Sequence, residues 1–193
     1  MHRWLLSGLT CAAAVLLYAP YTYVHAQELP VRPGLIAAQL DSNKAVYHVG
    51  EPIMLRLTLI NRTSQKIDFA HGAPYYMSDL EVVDTEGKVV SATIGRGPCW
   101  CQGTISSVRL DRGRPVVVEY NDPRITEREG LGYAVGALRA WADIKDWGYV
   151  LQQPGTYTIV ASLSKVAAII PGGPEFSTSP SDKSNAVHLT IIR

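Results

Sequence analysis

From Leu35 onward the apolar residues of this chain alternate with polar ones rather than recurring every third or fourth position. Successive side chains of a strand point to opposite faces, so a period of two marks strands with one face buried. The cleanest case is Pro52 to Ile60, where Ile53, Leu55, Leu57 and Leu59 share one face and Arg56 and Thr58 the other; the polar run Asn61-Arg62-Thr63-Ser64 then supplies a turn. Ile67 and Phe69 mark a return strand and Leu80 to Val83 another, with Asp84 to Gly87 turning into Lys88 to Ile94. The same alternation runs through Val116, Val118 and Tyr120, through Tyr157, Ile159, Ala161 and Leu163, and through Val187, Leu189 and Ile191. About eight strands at turn-punctuated spacing predict an all-β, immunoglobulin-like Greek-key sandwich rather than a βαβ fold.

One stretch breaks the period. Between Ile125 and Trp147, Leu131, Val135, Leu138 and Ala142 fall at helical spacing, while Gly130, Gly132 and Gly136 weaken a helix. The expectation is a long, partly helical crossover of the kind that carries a Greek-key chain from one sheet to the other.

The first 26 residues have the organisation of a secretory signal peptide: a basic start at Met1-His2-Arg3, an apolar run from Trp4 to Tyr18, and a cleavage site at Val24-His25-Ala26 with small residues where the peptidase needs them. The apolar run is shorter than the roughly 20 residues of a spanning helix. Cys11 lacks a lipoprotein context, since Gly8 and Thr10 stand where a Leu and a small residue are needed. Cleavage leaves residues 27–193 as one domain, with residues 27–34 as an extended lead-in, and predicts a periplasmic or extracellular protein with no membrane insertion after cleavage.

The whole chain carries 18 Lys+Arg against 17 Asp+Glu, and cleavage removes only Arg3 from this balance. No basic excess remains to hold nucleic acid or an anionic membrane. Two cysteines survive cleavage, Cys99 and Cys101, too few for a disulfide framework. Stability has to come from the apolar faces of the strands.

The segment Leu151-Gln-Gln-Pro154-Gly155-Thr156-Tyr157 resembles the tyrosine corner of immunoglobulin-like domains, in which a Pro-Gly turn precedes a tyrosine opening a core strand. The ring adds apolar area to the core, and the hydroxyl, costly to bury alone, bonds back to the turn. A second likeness spans about 45 residues: Tyr47-His-Val-Gly50-Glu51-Pro52, Leu57-Thr-Leu-Ile-Asn61-Arg62-Thr63, Asp79-Leu-Glu-Val-Val-Asp84 and Gly87-Lys88. This resembles the bacterial sandwich domains grouped with the BsuPI-type proteinase inhibitors. The terminal Ser184-Asn185-Ala186-Val187 is similar to the last-strand entry of exported sandwich domains. These residues build a fold, and a fold hosts many functions.

No His-Glu-x-x-His pair, Gly-x-Ser-x-Gly elbow, phosphate loop or calcium loop is present in the sequence, and no cofactor is implied. His48, His71 and His188 each lie in or beside a strand with no acidic partner in sequence. Asn61-Arg62-Thr63 fits a glycosylation acceptor and, more simply, a turn. The unusual feature is Gly95-Arg-Gly-Pro-Cys99-Trp100-Cys101-Gln-Gly103. Three readings are open for it: a local disulfide, free or intermolecularly bonded thiols, and a soft-metal thiolate site completed by a distant His. The Cα atoms of extended i, i+2 residues sit at or beyond the ~4.4–6.8 Å that a disulfide spans, so the loop must turn to close the first. Trp100 either plugs the end of the sandwich or presents a contact surface.

The leading expectation is a non-enzymatic binding or accessory module that engages another exported or envelope protein. The candidates for contact are Cys99, Trp100, Cys101, Tyr133, Trp141 and Trp147, on two long loop regions at about 95–105 and 121–150. Pro154, Gly155 and Tyr157 are assigned a structural role. The resemblance implies the alternative of a proteinase inhibitor whose stiffened loop enters a protease cleft. A redox or metal-handling role for the Cys-Trp-Cys loop ranks below both.

Overall fold

A computed structural model describes residues 30–71, 73–95, 106–128, 134–164, 167–173 and 175–193; the expected signal peptide, residues 1–26, lies outside them. In chain order the elements begin β1 (Ile36–Ser42), β2 (Val46–His48), β3 (Met54–Asn61), β4 (Ile67–His71), α1 (Pro74–Met77), β5 (Ser78–Asp84), β6 (Val89–Val90) and β7 (Ser106–Leu110). There follow β8 (Pro115–Val117), β9 (Tyr120–Arg128), β10 (Ala134–Arg139), β11 (Ala142–Asp143), a 3₁₀ turn (Ile144–Trp147), β12 (Gly155–Leu163), β13 (Ala167–Ile169), β14 (Glu175–Ser177) and β15 (Val187–Ile192). The all-β sandwich expected from the alternation is the fold observed. Several of the added strands are two or three residues long, too short for any period to show.

Two sheets form the sandwich. In one, β3 lies between β1 and a broken neighbour made of β8 and β11; in the other the order is β2-β15-β12-β5-β6, antiparallel except where β2 runs parallel to β15. The inward residues foreseen from the pattern, Leu55, Leu57, Ile159 and Leu163, are fully buried in one core. A third sheet, β14-β13-β4-β7, adds Ile67, Phe69, Leu110, Ala168 and Phe176 to it.

The crossover differs from expectation. Ala134–Arg139, which includes two of the helically spaced positions, is strand β10 paired with β9, and helical geometry is confined to the four-residue 3₁₀ turn. Glycine at 130, 132 and 136 makes a helix costly here. The ribbon's register shifts opposite Gly136/Ala137, skipping Pro123 and its two followers, and proline has no N–H to give a ladder. Lys88 to Ile94 likewise shortens to Val89–Val90, because the chain beyond turns toward Gly148.

The fold-building motifs have physical reasons. The Tyr157 hydroxyl donates to the Gln153 carbonyl at 2.8 Å with the ring buried, which is the corner expected. Burial pushes the Tyr157 phenol pKa up, and the Asp84 carboxylate adds to the effect. In the Gly50-Glu51-Pro52 entry, Gly50 takes φ +85° and the Glu51 carboxylate binds the Lys44 ammonium and the His48 amide. Those two bonds, Lys44 first, hold Glu51 below its usual pKa.

Asn61 is fully buried: its amide donates to the Gln65 and Leu110 carbonyls at 2.7 and 2.8 Å, and its oxygen accepts from the Thr63 amide and hydroxyl, both at 2.8 Å. That nitrogen is spoken for, so the glycosylation reading falls and the turn reading holds. Ser184 pairs with both backbone groups of Ala161, through its own N–H (2.7 Å) and its hydroxyl, which accepts from the Ala161 amide (2.9 Å).

Candidate functional site

The interrupted neighbour of β3 is where the scaffold gives rise to its projections. Val118 donates its amide to Leu57 (2.9 Å), continuing the β8 register, and Ala142 of β11 lies opposite Leu55. Between them the chain leaves the sheet as the β9–β10 ribbon, whose root pairs Tyr120 with Arg139. The Tyr120 hydroxyl donates to the Trp141 carbonyl at 3.3 Å.

This root rests on an aromatic cluster. Proline at the first position of α1 presets the helical φ, and the single turn presents Tyr75, which is buried. Its ring meets Tyr120 edge-on at 5.8 Å and Trp147 edge-on at 6.1 Å, and it lies 4.8 Å from the tilted ring of Tyr76. Edge-to-face pairs of this kind are favoured by the aromatic quadrupole and contribute roughly 0.5–1.5 kcal/mol beyond their burial. Trp147 Nε1 donates to the carbonyl and hydroxyl of Ser78, both at 3.2 Å. The Ser78 hydroxyl in turn donates to the Pro74 carbonyl at 2.9 Å.

The 3₁₀ turn that delivers Trp147 is capped by Asp143, which accepts from the Lys145 amide at 3.1 Å, and is ended by Gly148 at φ +93°. The Gly148 carbonyl receives the amides of Thr93 (2.8 Å) and Ile94 (3.1 Å). A Cβ on Gly148 would lie 2.6 Å from the Ile94 carbonyl oxygen, so only glycine fits both the backbone angle and the approach. Segment 96–105 therefore leaves the described structure beside Gly148, and the chain re-enters at Ser106, opposite His71 on β4. The His71 end of β4 leads directly toward α1 and its tyrosines.

The contact residues expected from sequence have different fates. Cys99, Trp100, Cys101 and Tyr133 lie outside the described residues. Trp147 is only 2% exposed, so it is a member of the cluster and not a surface anchor. Trp141 is half-buried with the Arg56 guanidinium 4.8 Å from its ring centre, and Arg56 also binds Asp41 at 3.1 Å. A stack of this kind is worth about 0.5–1 kcal/mol at an exposed site. Pro154, Gly155 and Tyr157 occupy the corner assigned to them. Tyr75, Tyr76, Tyr120 and Gly148 join the site only in three dimensions; the Pro74-Tyr75-Tyr76 run is a signal in the sequence, but nothing local announces that it meets Trp147.

Among the described residues no three His, Cys, Asp or Glu side chains converge as a metal would require. Nor is any helix among them long and apolar enough to cross a membrane. On the far side of β4 and β7 the Asp68 carboxylate grips Arg109 at 2.7 and 3.1 Å. Each holds the other charged, lowering the Asp68 pKa and raising that of Arg109.

No family model matches the chain, and no curated protein matches it. Among solved structures it is similar to a β-glucosidase, EmGH1, from Erythrobacter marinus, with 12% identity and a TM-score of 0.35 over 81% of this chain and 15% of that one. It is also similar to a Northeast Structural Genomics Consortium target, SoR45, with 11% identity and a TM-score of 0.29 over 80% of this chain and 83% of that one. The chain thus spans a small part of the glucosidase, and neither likeness carries an argument about activity.

Proposed function

We propose that the chain is an exported, non-enzymatic binding or accessory module that engages another exported or envelope protein through segment 96–105 and the β9–β10 ribbon. The observation that carries this reading is the shared footing of the two segments. One side of segment 96–105 starts at the Gly148 clamp, next to Trp147, and the ribbon root at Tyr120 abuts Tyr75, which also contacts Trp147. Recognition segments work best when a rigid scaffold fixes their ends, because less ordering entropy is then lost on binding. Trp100 and Tyr133, one on each segment, are the aromatic anchors of this reading.

The test is site-specific photo-crosslinking in a host that exports the chain. A photoreactive residue at position 100 is expected to give a discrete adduct with an envelope or secreted protein, and the same group at the exposed Lys88 is expected to give none. The absence of an adduct from position 100, or an identical adduct from both positions, would remove the proposal.

A further inference from the structure

The β9–β10 ribbon is an insertion into an otherwise continuous strand. Val118 is the last residue in the β8 register, opposite Leu57, and the β11 register places Trp141 opposite Arg56, the next residue along β3. The Arg56–Trp141 stack agrees with that placement. Excising residues 119–140 would join Val118 to Trp141 with no gap in the ladder. Because that segment has an even number of residues, it would also leave every side chain of β11 on its present face. The sandwich does not need the ribbon for its own hydrogen bonding.

Nor is the ribbon self-sufficient. Among the described residues β9 and β10 pair only with each other, and an isolated two-stranded ribbon is marginal in water; three or more strands are needed for independent stability. Its two edges differ in sequence. β9 carries Asp122, Pro123, Arg124, Glu127 and Arg128 together with the register break, all devices that discourage further pairing. β10 runs Ala134-Val-Gly-Ala-Leu138 with neither charge nor proline before its terminal Arg139, and the residues skipped at the register break are not its own.

We infer that the β10 edge pairs antiparallel, about a two-fold axis, with the β10 edge of a second copy of this chain, giving a four-stranded sheet in the order β9-β10-β10-β9. A two-fold contact matches a surface to itself, which requires that the surface not repel itself. With the pairing centred between Gly136 and Ala137, uncharged residues oppose uncharged residues and Arg139 of each copy lies opposite Ala134 of the other. No like charges meet across the ladder. A charged peptide, by contrast, would find only the terminal Arg139 to pair with on β10. The inference stands independently of the envelope-protein reading above, since self-pairing is measured on the purified chain alone.

Sedimentation velocity on the purified chain from about 5 to 500 μM tests it, a range suited to a contact much smaller than a standard interface. The expected result is a mass that doubles across the range. Val135→Lys combined with Ala137→Lys, which places lysines on the open edge, is expected to remain monomeric throughout. Thr126→Lys on β9 is expected to dimerise like the parent. Excision of residues 119–140 is expected to give a folded monomer, and the lysine variant keeps the test decisive if the excised chain does not fold. A parent monomeric at the highest concentration, or a lysine variant that dimerises as the parent does, would overturn the inference.

Discussion

The side chain of Asn185 completes a two-bond pairing with the backbone of Leu40: its oxygen accepts the Leu40 amide and its nitrogen donates to the Leu40 carbonyl, both at 2.9 Å. One amide thus stands in for a missing neighbour strand on the β1 edge and ties the first sheet to the start of β15. Asn185→Ala leaves a partly buried donor and acceptor without partners and is expected to lower stability by about 2–3 kcal/mol. Asn185→Asp keeps the acceptor but sets a carboxylate against the Leu40 carbonyl. It is expected to be at least as destabilised at neutral pH and to recover partly in acid, where a protonated carboxyl donates again. Urea titrations at pH 7 and 4 check both; equal stability of parent and alanine variant would count against the edge role.

The same residue marks the division between what the sequence discloses and what it hides. Alternation exposes which face of β3 or β12 is buried, because it is a property of neighbours along the chain. It therefore foresees Leu57 and Ile159 as core, and the Pro-Gly-Tyr corner is local enough to be recognised as well. Ser184-Asn185 looks familiar in sequence, yet its reason, pairing with Ala161 and Leu40, depends on contacts across the sandwich. Trp147 is hidden for the same cause: a tryptophan in a predicted loop reads as an exposed anchor until Ser78 and Tyr75 are found around it. The ribbon is hidden because glycine-spaced apolar residues satisfy a helical period while β9, the partner of β10, contains a proline.

Tyr157 should report on the corner through both stability and pH. Tyr157→Phe leaves the Gln153 carbonyl without its donor and is expected to cost about 1–2 kcal/mol at neutral pH. The folded-state phenol pKa is raised, so in alkali the unfolded chain releases this proton first. The stability supplied by the protonated phenol is complete below the ordinary tyrosine value near ~10 and is lost as pH climbs from there toward the folded value. The gap between parent and Phe variant should therefore narrow above that pH. Thermal melts of the two proteins through the alkaline range check it, and a gap that widened would contradict the raised pKa.

Gly148→Ala is expected to loosen the entry to segment 96–105 while sparing the distant core. The φ of +93° alone costs a non-glycine residue about 1–3 kcal/mol, and the contact with the Ile94 carbonyl adds to it. Relief comes most readily by moving the 93–94 segment away, which breaks the two amide bonds to the Gly148 carbonyl. Hydrogen exchange should then lose protection at Thr93 and Ile94 and keep it at Leu57 and Ile159. Unchanged protection at Thr93 and Ile94 would show that the clamp is not what holds this entry.

Cys99 and Cys101 give the last prediction, which concerns the segment between the Gly148 clamp and the Ser106–His71 pairing. With both ends anchored by backbone bonds, a disulfide between the cysteines has little chain left to restrain. Cross-link stabilisation grows with the length of chain enclosed, and an i, i+2 bond encloses almost none. The protein purified from an oxidising compartment is expected to hold one intramolecular disulfide by thiol titration under denaturing, non-reducing conditions. The Cys99→Ser, Cys101→Ser variant is expected to melt within about 4 °C of the parent, the shift that roughly 1 kcal/mol produces in a domain of this size. That variant, carrying the photoreactive residue, should nonetheless lose the crosslink from position 100, because the bond would shape how position 100 is presented without supporting the sandwich. Two free thiols in freshly exported protein would discard the clip and turn attention to metal binding or thiol exchange. A large fall in melting temperature would mean that the segment packs against the core rather than standing over it.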